Sequence, residues 1–416
     1  MNPIIIIGAG LAGWTTAREL RKLDTTTPVM MITADSGDFY AKPSLSNAFA
    51  QKRGPDQLVT TPAAKMAATL NVNLLANTSV QTIDPIAQTV ATPAGTYGYR
   101  HLVLATGAQP IRVPVSGDGA ALVRSINSLD DFRVFHTNLL GTQTHSAVPD
   151  RPQKHVLIMG AGLIGCEFAN DLALGGYAVS VVDPSPRPLA ALLPQQAAEE
   201  LQHALSALGV QWHFGATVQS VERVPPEMLH PPGYAASTEP NAHALRVTLS
   251  NGTVALADSV LSAIGLRADA TLAQAAGLRC GRGILVDSQL RTSAPHIFAL
   301  GDGAQYASAP GAPGQDAATP GSTLPYVMPI MNAARALAAT LAGTPTELAF
   351  PLMPVAIKTP ALPITISPPA PGLQGQWYGD EPGLWKFVDA NNMQRGFTLT
   401  GTHTSRRMEQ VKLTQA

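Results

Sequence analysis

Apolar and polar positions alternate along the chain in strand-length and helix-length blocks. Ile4 to Ile7 form an apolar run with no polar face, the pattern of a strand covered on both sides in a parallel sheet. Gly8, Gly10 and Gly13 follow in G-x-G-x-x-G spacing around Leu11 and Ala12, and a helical run extends from Trp14 to Leu23. A second strand, from Pro28 to Thr33, leads to Asp35. Tyr99 to Gly107 reads as another strand, closing on Ala105-Thr106-Gly107. The opening pattern then returns: strand His155 to Met159, turn Gly160-Ala161-Gly162-Leu163-Ile164-Gly165, a helix through Phe168 and Leu174, and a strand ending on Asp183. Further strands are predicted over 260–265 and 292–302, the latter ending on Gly301-Asp302, and a helix over Pro329 to Leu341. From Thr344 onward, short strands and turns predict an α+β unit.

The glycine spacing has a physical reason. The first glycine makes a tight turn, the second lets backbone approach a pyrophosphate, and the third lets helix pack on strand. The helix start supplies free N–H groups for phosphate oxygens. Asp35 lies 22 residues beyond Gly13 and Asp183 lies 18 beyond Gly165, where a carboxylate accepts bonds from an adenosine ribose. Two such units in one chain predict two dinucleotides, one held as cofactor and one visiting as substrate.

Composition narrows the picture. Net charge is −1, from 27 Lys plus Arg against 28 Asp plus Glu, which gives no sign of nucleic-acid binding. Cys166 and Cys280 are isolated, so neither a disulfide framework nor a metal site is indicated, and both read as small core residues. The N-terminal apolar run lacks a basic leader and no stretch suits a membrane span, so a cytoplasmic protein is expected. Residues 225–244 are rich in proline and predict a long hairpin loop; 304–325 are of low complexity and predict a surface insertion.

The order G-x-G-x-x-G, Ala-Thr-Gly, G-x-G-x-x-G and T-S-x-P-x-I-F-A-L-G-D resembles the two-dinucleotide flavoprotein reductases of the glutathione-reductase fold, over nearly the whole chain. The resemblance implies an α/β protein with two Rossmann-like domains, for FAD and NAD, plus a small C-terminal α+β domain. The expected boundaries are 1–112 with 263–343 for FAD, 113–262 for NAD, and 344–416 for the last domain. It also implies that Asp302 meets the ribityl chain. Residues 36–60 contain no cysteine, so a thiol relay beside the flavin is not expected, and electrons must leave the flavin directly. The run Asp35 to Ser46, with Phe39-Tyr40, Lys42-Pro43 and Leu45-Ser46, resembles the branch that reduces small iron proteins. Asn47 stands where that branch's ferredoxin reductases carry a Lys that pairs with a Glu.

Within the branch, the wording of 21–43, 160–172, 326–343 and 353–360 is most similar to the bacterial reductases of rubredoxin. The implied function is electron transfer from NADH through FAD to rubredoxin, for a system such as alkane hydroxylation. A ferredoxin reductase serving an oxygenase and a non-enzymatic NADH-sensing flavoprotein stand as alternatives. Glu167 and Lys42 are the candidate catalytic residues. Implied cofactor contacts are Gly8, Gly10, Leu11, Ala12, Gly13, Asp35, Lys42, Pro43, Val80, Ala105, Thr106, Gly107, Gly160, Gly162, Leu163, Ile164, Gly165, Asp183, Gly265, Gly301, Asp302 and Val327. Lys42 and Lys358 are candidates for a basic patch facing an acidic carrier.

Overall fold

A computed structural model describes residues 2–140, 154–225, 244–307 and 321–415. The chain forms two compact units, one built from 1–41, 59–109 and 266–353, the other from 42–58, 110–265 and 354–416. These divisions fall at different points from 112, 262 and 343. Segment 42–58 goes with the second unit, and so does everything after 353.

The first unit is centred on a parallel sheet in the order Ile297–Ala299, His101–Leu104, Ile4–Ile7, Val29–Ile32, Val72–Leu75. The isoleucine run is its middle strand and is buried throughout, as a strand sandwiched between layers must be. The helix Leu11–Leu23 packs against Val327–Leu341. It begins three residues before the predicted Trp14, because the Trp14 N–H already bonds the Gly10 carbonyl at 3.0 Å. Trp14 is 1% exposed, and its indole N–H meets the Gly37 carbonyl at 2.9 Å. A meander of Thr82–Asp84, Thr89–Thr92 and Gly95–Gly98 completes this unit's larger sheets.

One expectation is corrected here. Residues 304–306 are not the start of a surface insertion but a buried strand, Ala304–Tyr306, parallel to Ile284–Val286. The Tyr306 hydroxyl accepts the Gly301 N–H at 2.8 Å, which ties this strand to the turn carrying Asp302. Residues 308–320 of the predicted insertion lie outside the described residues.

The second unit has a parallel sheet in the order Gln211–Phe214, Ala178–Asp183, His155–Met159, Ser259–Ser262. Val218–Val224 and Ala244–Leu249 pair antiparallel, as a hairpin requires; of the predicted loop 225–244, Ala244 already belongs to the second strand and 226–243 lie outside the described residues. The C-terminal residues form a five-stranded antiparallel sheet, Val355–Ile357, Ile364–Ser367, Gln394–Thr400, Leu384–Asp389, Gly375–Glu381, followed by the helix Arg407–Leu413. Segment 42–58 is seated by Phe49, whose ring lies 5.5 Å from Phe132, 6.0 Å from Phe135 and 5.6 Å from Tyr177. Among the described residues, no helix is long and apolar enough to cross a membrane.

Candidate functional site

The two glycine turns are built alike. Gly8 has φ +105°, and a Cβ there would overlap the Ala105 carbonyl; Gly160 has φ +104°, and its Cβ would lie 2.7 Å from the Ala263 oxygen. A Cβ on Gly13 or Gly165 would overlap the carbonyl of Gly8 or Gly160 respectively. These four glycines are therefore required by the protein's own backbone. The middle pair is different. Gly10 and Gly162 have ordinary backbone angles and cap their helices without a side-chain bond, and a Cβ at either position would meet nothing within 4 Å among the described residues. The protein itself does not exclude a side chain there, whereas a phosphate group laid against each helix start would.

Around the first turn, Ala12 lies close to Gly301, whose Cβ would be 2.9 Å from the Ala12 Cβ. A Cβ on Gly303 would lie 3.0 Å from the Gly107 oxygen. Thr106 Oγ1 donates to the Asp269 carbonyl at 2.7 Å, and the Asp269 N–H returns a bond to Gly107 at 2.9 Å. The strand ends bearing Ala105–Gly107 and Gly301–Asp302 are thus brought together beside the turn. Asp35 is exposed at the end of its strand, with Oδ1 accepting the Thr33 hydroxyl at 2.6 Å and the Gly37 N–H at 3.0 Å. Val80 packs partly buried on the core, and Val327, 42% exposed, opens its helix.

Around the second turn, both Asp183 oxygens are engaged: Oδ2 accepts the Ala161 N–H at 2.6 Å and Oδ1 the Ser185 N–H at 2.7 Å. A recess of about 130 Å³ opens beside it, lined by Ala161, Gly162, Asp183, Ser185, Arg187 and Leu189 among others. The Arg187 Nε beside it is buried and, among the described residues, has no partner. Leu163 and Ile164 are part-buried in the first helical turn, and Gly265 bonds the Ile111 N–H through its carbonyl at 3.0 Å.

Glu167 is 4% exposed. Its Oε2 accepts the Ser46 hydroxyl at 2.7 Å and its Oε1 the Lys358 backbone N–H at 2.9 Å. The Lys358 ammonium donates to the Pro43 carbonyl at 3.1 Å; burial pushes its pKa down, and the charge of Glu167 opposes that. So Lys358 is half-buried against the Lys42-Pro43 motif rather than free on the surface. Lys42 is exposed, with its ammonium on Asn127 Oδ1 at 3.0 Å. Cys166 is fully buried, its thiol on the Ala161 carbonyl at 3.3 Å, and burial raises its pKa far beyond the reactive range. Sequence reasoning missed Asn170 and Asp171, one turn beyond Glu167 and each 1% exposed. The signal was present: polar residues at the third and fourth positions after Glu167 in an otherwise apolar helix.

Residues 2–320 match the family model for pyridine nucleotide-disulphide oxidoreductases. The chain belongs to that family. Residues 347–414 of this family member further match the model of a rubredoxin binding C-terminal domain. The Rubredoxin-NAD(+) reductase of Alcanivorax borkumensis is 42% identical over 98% of this chain and 97% of its own. The nitric oxide reductase FlRd-NAD(+) reductase of Aeromonas salmonicida is 37% identical over 90% and 86%. Among solved structures, the covalent putidaredoxin reductase–putidaredoxin complex shares the fold at TM-score 0.81 and 23% identity, over 99% of this chain and 93% of that one. All three features that the sequence placed in order, the two nucleotide domains and the small C-terminal one, belong to the fold that this pyridine nucleotide-disulphide oxidoreductase adopts.

Proposed function

We propose that this protein transfers electrons from NADH through FAD to rubredoxin. The observation that carries the reading is the rubredoxin-binding module at 347–414, joined to a two-nucleotide reductase and matched end to end by the Alcanivorax relative. In this reading the turn Gly8–Gly13 holds the FAD pyrophosphate and Asp35 its adenosine ribose. Ala105–Gly107 and Asp302 line the rest of that cofactor. The turn Gly160–Gly165 takes NADH, with Asp183 on the ribose. FAD, when bound, supplies the chemistry that splits a two-electron donation into single electrons.

The chain's own residues bind, orient and shield. Cys166 is buried and engaged on its own turn, so no thiol of that helix takes part. Glu167 holds Ser46 and the Lys358 backbone together, which fixes the Lys42-Pro43 motif beside the C-terminal module. In this reading the reaction runs in the cytoplasm, where NADH is available.

The test is stopped-flow reoxidation of the NADH-reduced enzyme by purified carriers. Rubredoxin should reoxidise it fastest. Faster turnover with a ferredoxin would move the protein to the oxygenase systems, and no reoxidation by any carrier would leave an NADH-sensing flavoprotein. The 37% identical relatives named nitric oxide reductase FlRd-NAD(+) reductase favour adding FlRd to the panel.

A further inference from the structure

The helix Leu163–Leu174 carries more buried polar groups than a nucleotide turn needs. Glu167, Asn170 and Asp171 sit at i, i+3 and i+4, on one face, and are 4%, 1% and 1% exposed. Each holds backbone or hydroxyl from a remote segment. Asp171 accepts the Phe49 N–H at 3.0 Å and the Ala50 N–H at 2.9 Å. Glu167 takes Ser46 and the Lys358 N–H, and Asn170 Oδ1 takes the Ala361 N–H at 3.0 Å. Among the described residues the buried Asn170 Nδ2 has no partner, so the residue costs stability while its oxygen holds the Ala361 N–H.

The other fingerprint helix shows that the glycine turn does not require this. At the matching positions of Leu11–Leu23 stand Thr15, Arg18 and Glu19. Arg18 reaches Thr15 at 3.5 Å and Glu19 pairs with Lys22 at 2.7 Å, both within that helix. Among the described residues, the one remote hydrogen bond of these three is the Thr15 hydroxyl on the Met331 sulfur at 3.9 Å, on a packed helix and not on a loop. In the second helix the same face has instead been given to two loops: 46–50, after the Lys42-Pro43 motif, and 358–361, inside the partner-binding module.

We propose that Glu167, Asn170 and Asp171 are positioning residues through which nucleotide occupancy at the start of this helix and rubredoxin docking on the C-terminal module are thermodynamically coupled. The inference rests on the function proposed above. The turn Gly160–Gly165 opens the helix, and Asn170 lies eight residues beyond Gly162, about 12 Å along the axis at 1.5 Å per residue. Glu167 and Asn170 both hold the 358–361 loop directly. A nucleotide that orders the helix start therefore orders the loop as well, and a carrier that orders the loop does the reverse. Linkage makes the two effects equal.

The experiment measures the dissociation constant of oxidised rubredoxin for the FAD-loaded enzyme, with and without saturating NAD+, and that of NAD+ with and without rubredoxin. Both should tighten by the same factor, about fivefold or more. Asn170→Ala should bring the factor to near one, while Asn170→Asp, which keeps an oxygen on the Ala361 N–H, should retain it. Equal rubredoxin affinity with and without NAD+ in the wild type would overturn the coupling and leave the proposed function standing. So would a fivefold factor that survives in Asn170→Ala. Failure of rubredoxin to bind under any condition would overturn the function and the coupling together. The wild-type measurements decide the matter even if Asn170→Ala does not fold.

Discussion

The second nucleotide turn separates two kinds of glycine that the sequence writes with the same letter. At Gly160, alanine would put a Cβ 2.7 Å from the Ala263 oxygen, 3.0 Å from its carbonyl carbon and 3.2 Å from the Ile264 nitrogen, at φ +104°. All three neighbours are backbone of the adjacent strand end, so none can swing aside. Overpacking of this kind costs about 1–3 kcal/mol, and the backbone conformation adds about 1–3 kcal/mol. A loss of roughly 3 kcal/mol or more corresponds to a fall in Tm on the order of 10 °C for a unit of this size. At Gly162 the same substitution meets nothing within 4 Å, at φ −75° and ψ −171°. Gly162→Ala should therefore lower Tm by no more than about 3 °C, because without a clash it costs only what alanine costs at an N-cap, about 0.5–1 kcal/mol. Its KM for NADH should rise by about tenfold or more, the ~1.4 kcal/mol that a displaced phosphate contact readily costs. Thermal unfolding of the FAD-loaded proteins and steady-state kinetics read out the two effects. If Gly162→Ala binds NADH like the wild type, or unfolds as early as Gly160→Ala, the division between internal and ligand-facing glycines is wrong.

Other expectations follow from the same geometry. NADH should exceed NADPH in kcat/KM by about tenfold or more, since a 2′-phosphate beside Asp183 brings like charges together at a cost of several kcal/mol; equal efficiency would show that Arg187 in the same recess prevails. Burial raises the pKa of Asp171 above its unfolded value, against the opposing N–H bonds of Ala50, Phe49 and Ala48. The native state then holds the proton more tightly, so this group's contribution is present below about pH 4 and lost as pH rises through the folded pKa. Asp171→Asn removes that loss, so raising the pH from about 4 should cost it less Tm than it costs the wild type; parallel profiles would refute the assignment. Lys42→Glu should raise the rubredoxin KM several-fold at low salt, with the gap closing as the Debye length shrinks from ~30 Å to ~8 Å. An unchanged KM would remove Lys42 from the docking surface.

Much of the fold was legible because its requirements are written in side chains, or in their absence. The isoleucine run could only be a strand covered on both faces, and each glycine triplet marks a tight turn that opens a helix packed close on its strand. The Ser46–Glu167–Lys358 arrangement was not legible, because three segments far apart in the chain meet there and much of the bonding uses backbone N–H groups, which carry no letter. The same holds for Asn170 and Asp171, whose partners are the N–H groups of Ala361, Phe49 and Ala50. Lys358 illustrates the cost. A lysine in a loop reads as a solvated cation, and only the fold shows its ammonium turned onto Pro43. The strand Gly375–Glu381 escaped notice since its glycines break the apolar alternation that marks a strand; one of them, Gly375, is needed where a Cβ would overlap the Val388 carbonyl.

The path of the chain through its two units has a consequence for how the protein is made. Neither unit is a continuous stretch: the first is complete only when 266–353 has joined 1–41 and 59–109, and the second needs 42–58 and 354–416 as well as 110–265. In the first sheet, Leu102 cannot find its neighbour Ile297 until most of the polypeptide has left the ribosome. The strand His101–Leu104 must therefore wait, paired along one edge only, through most of synthesis. Long-range parallel pairing of this kind is slow and leaves apolar edges exposed in the interval. Slowed translation, or premature termination before 266–353 has emerged, should yield aggregates rather than one working half. Chaperone demand should track translation time more closely than the stability of the finished protein.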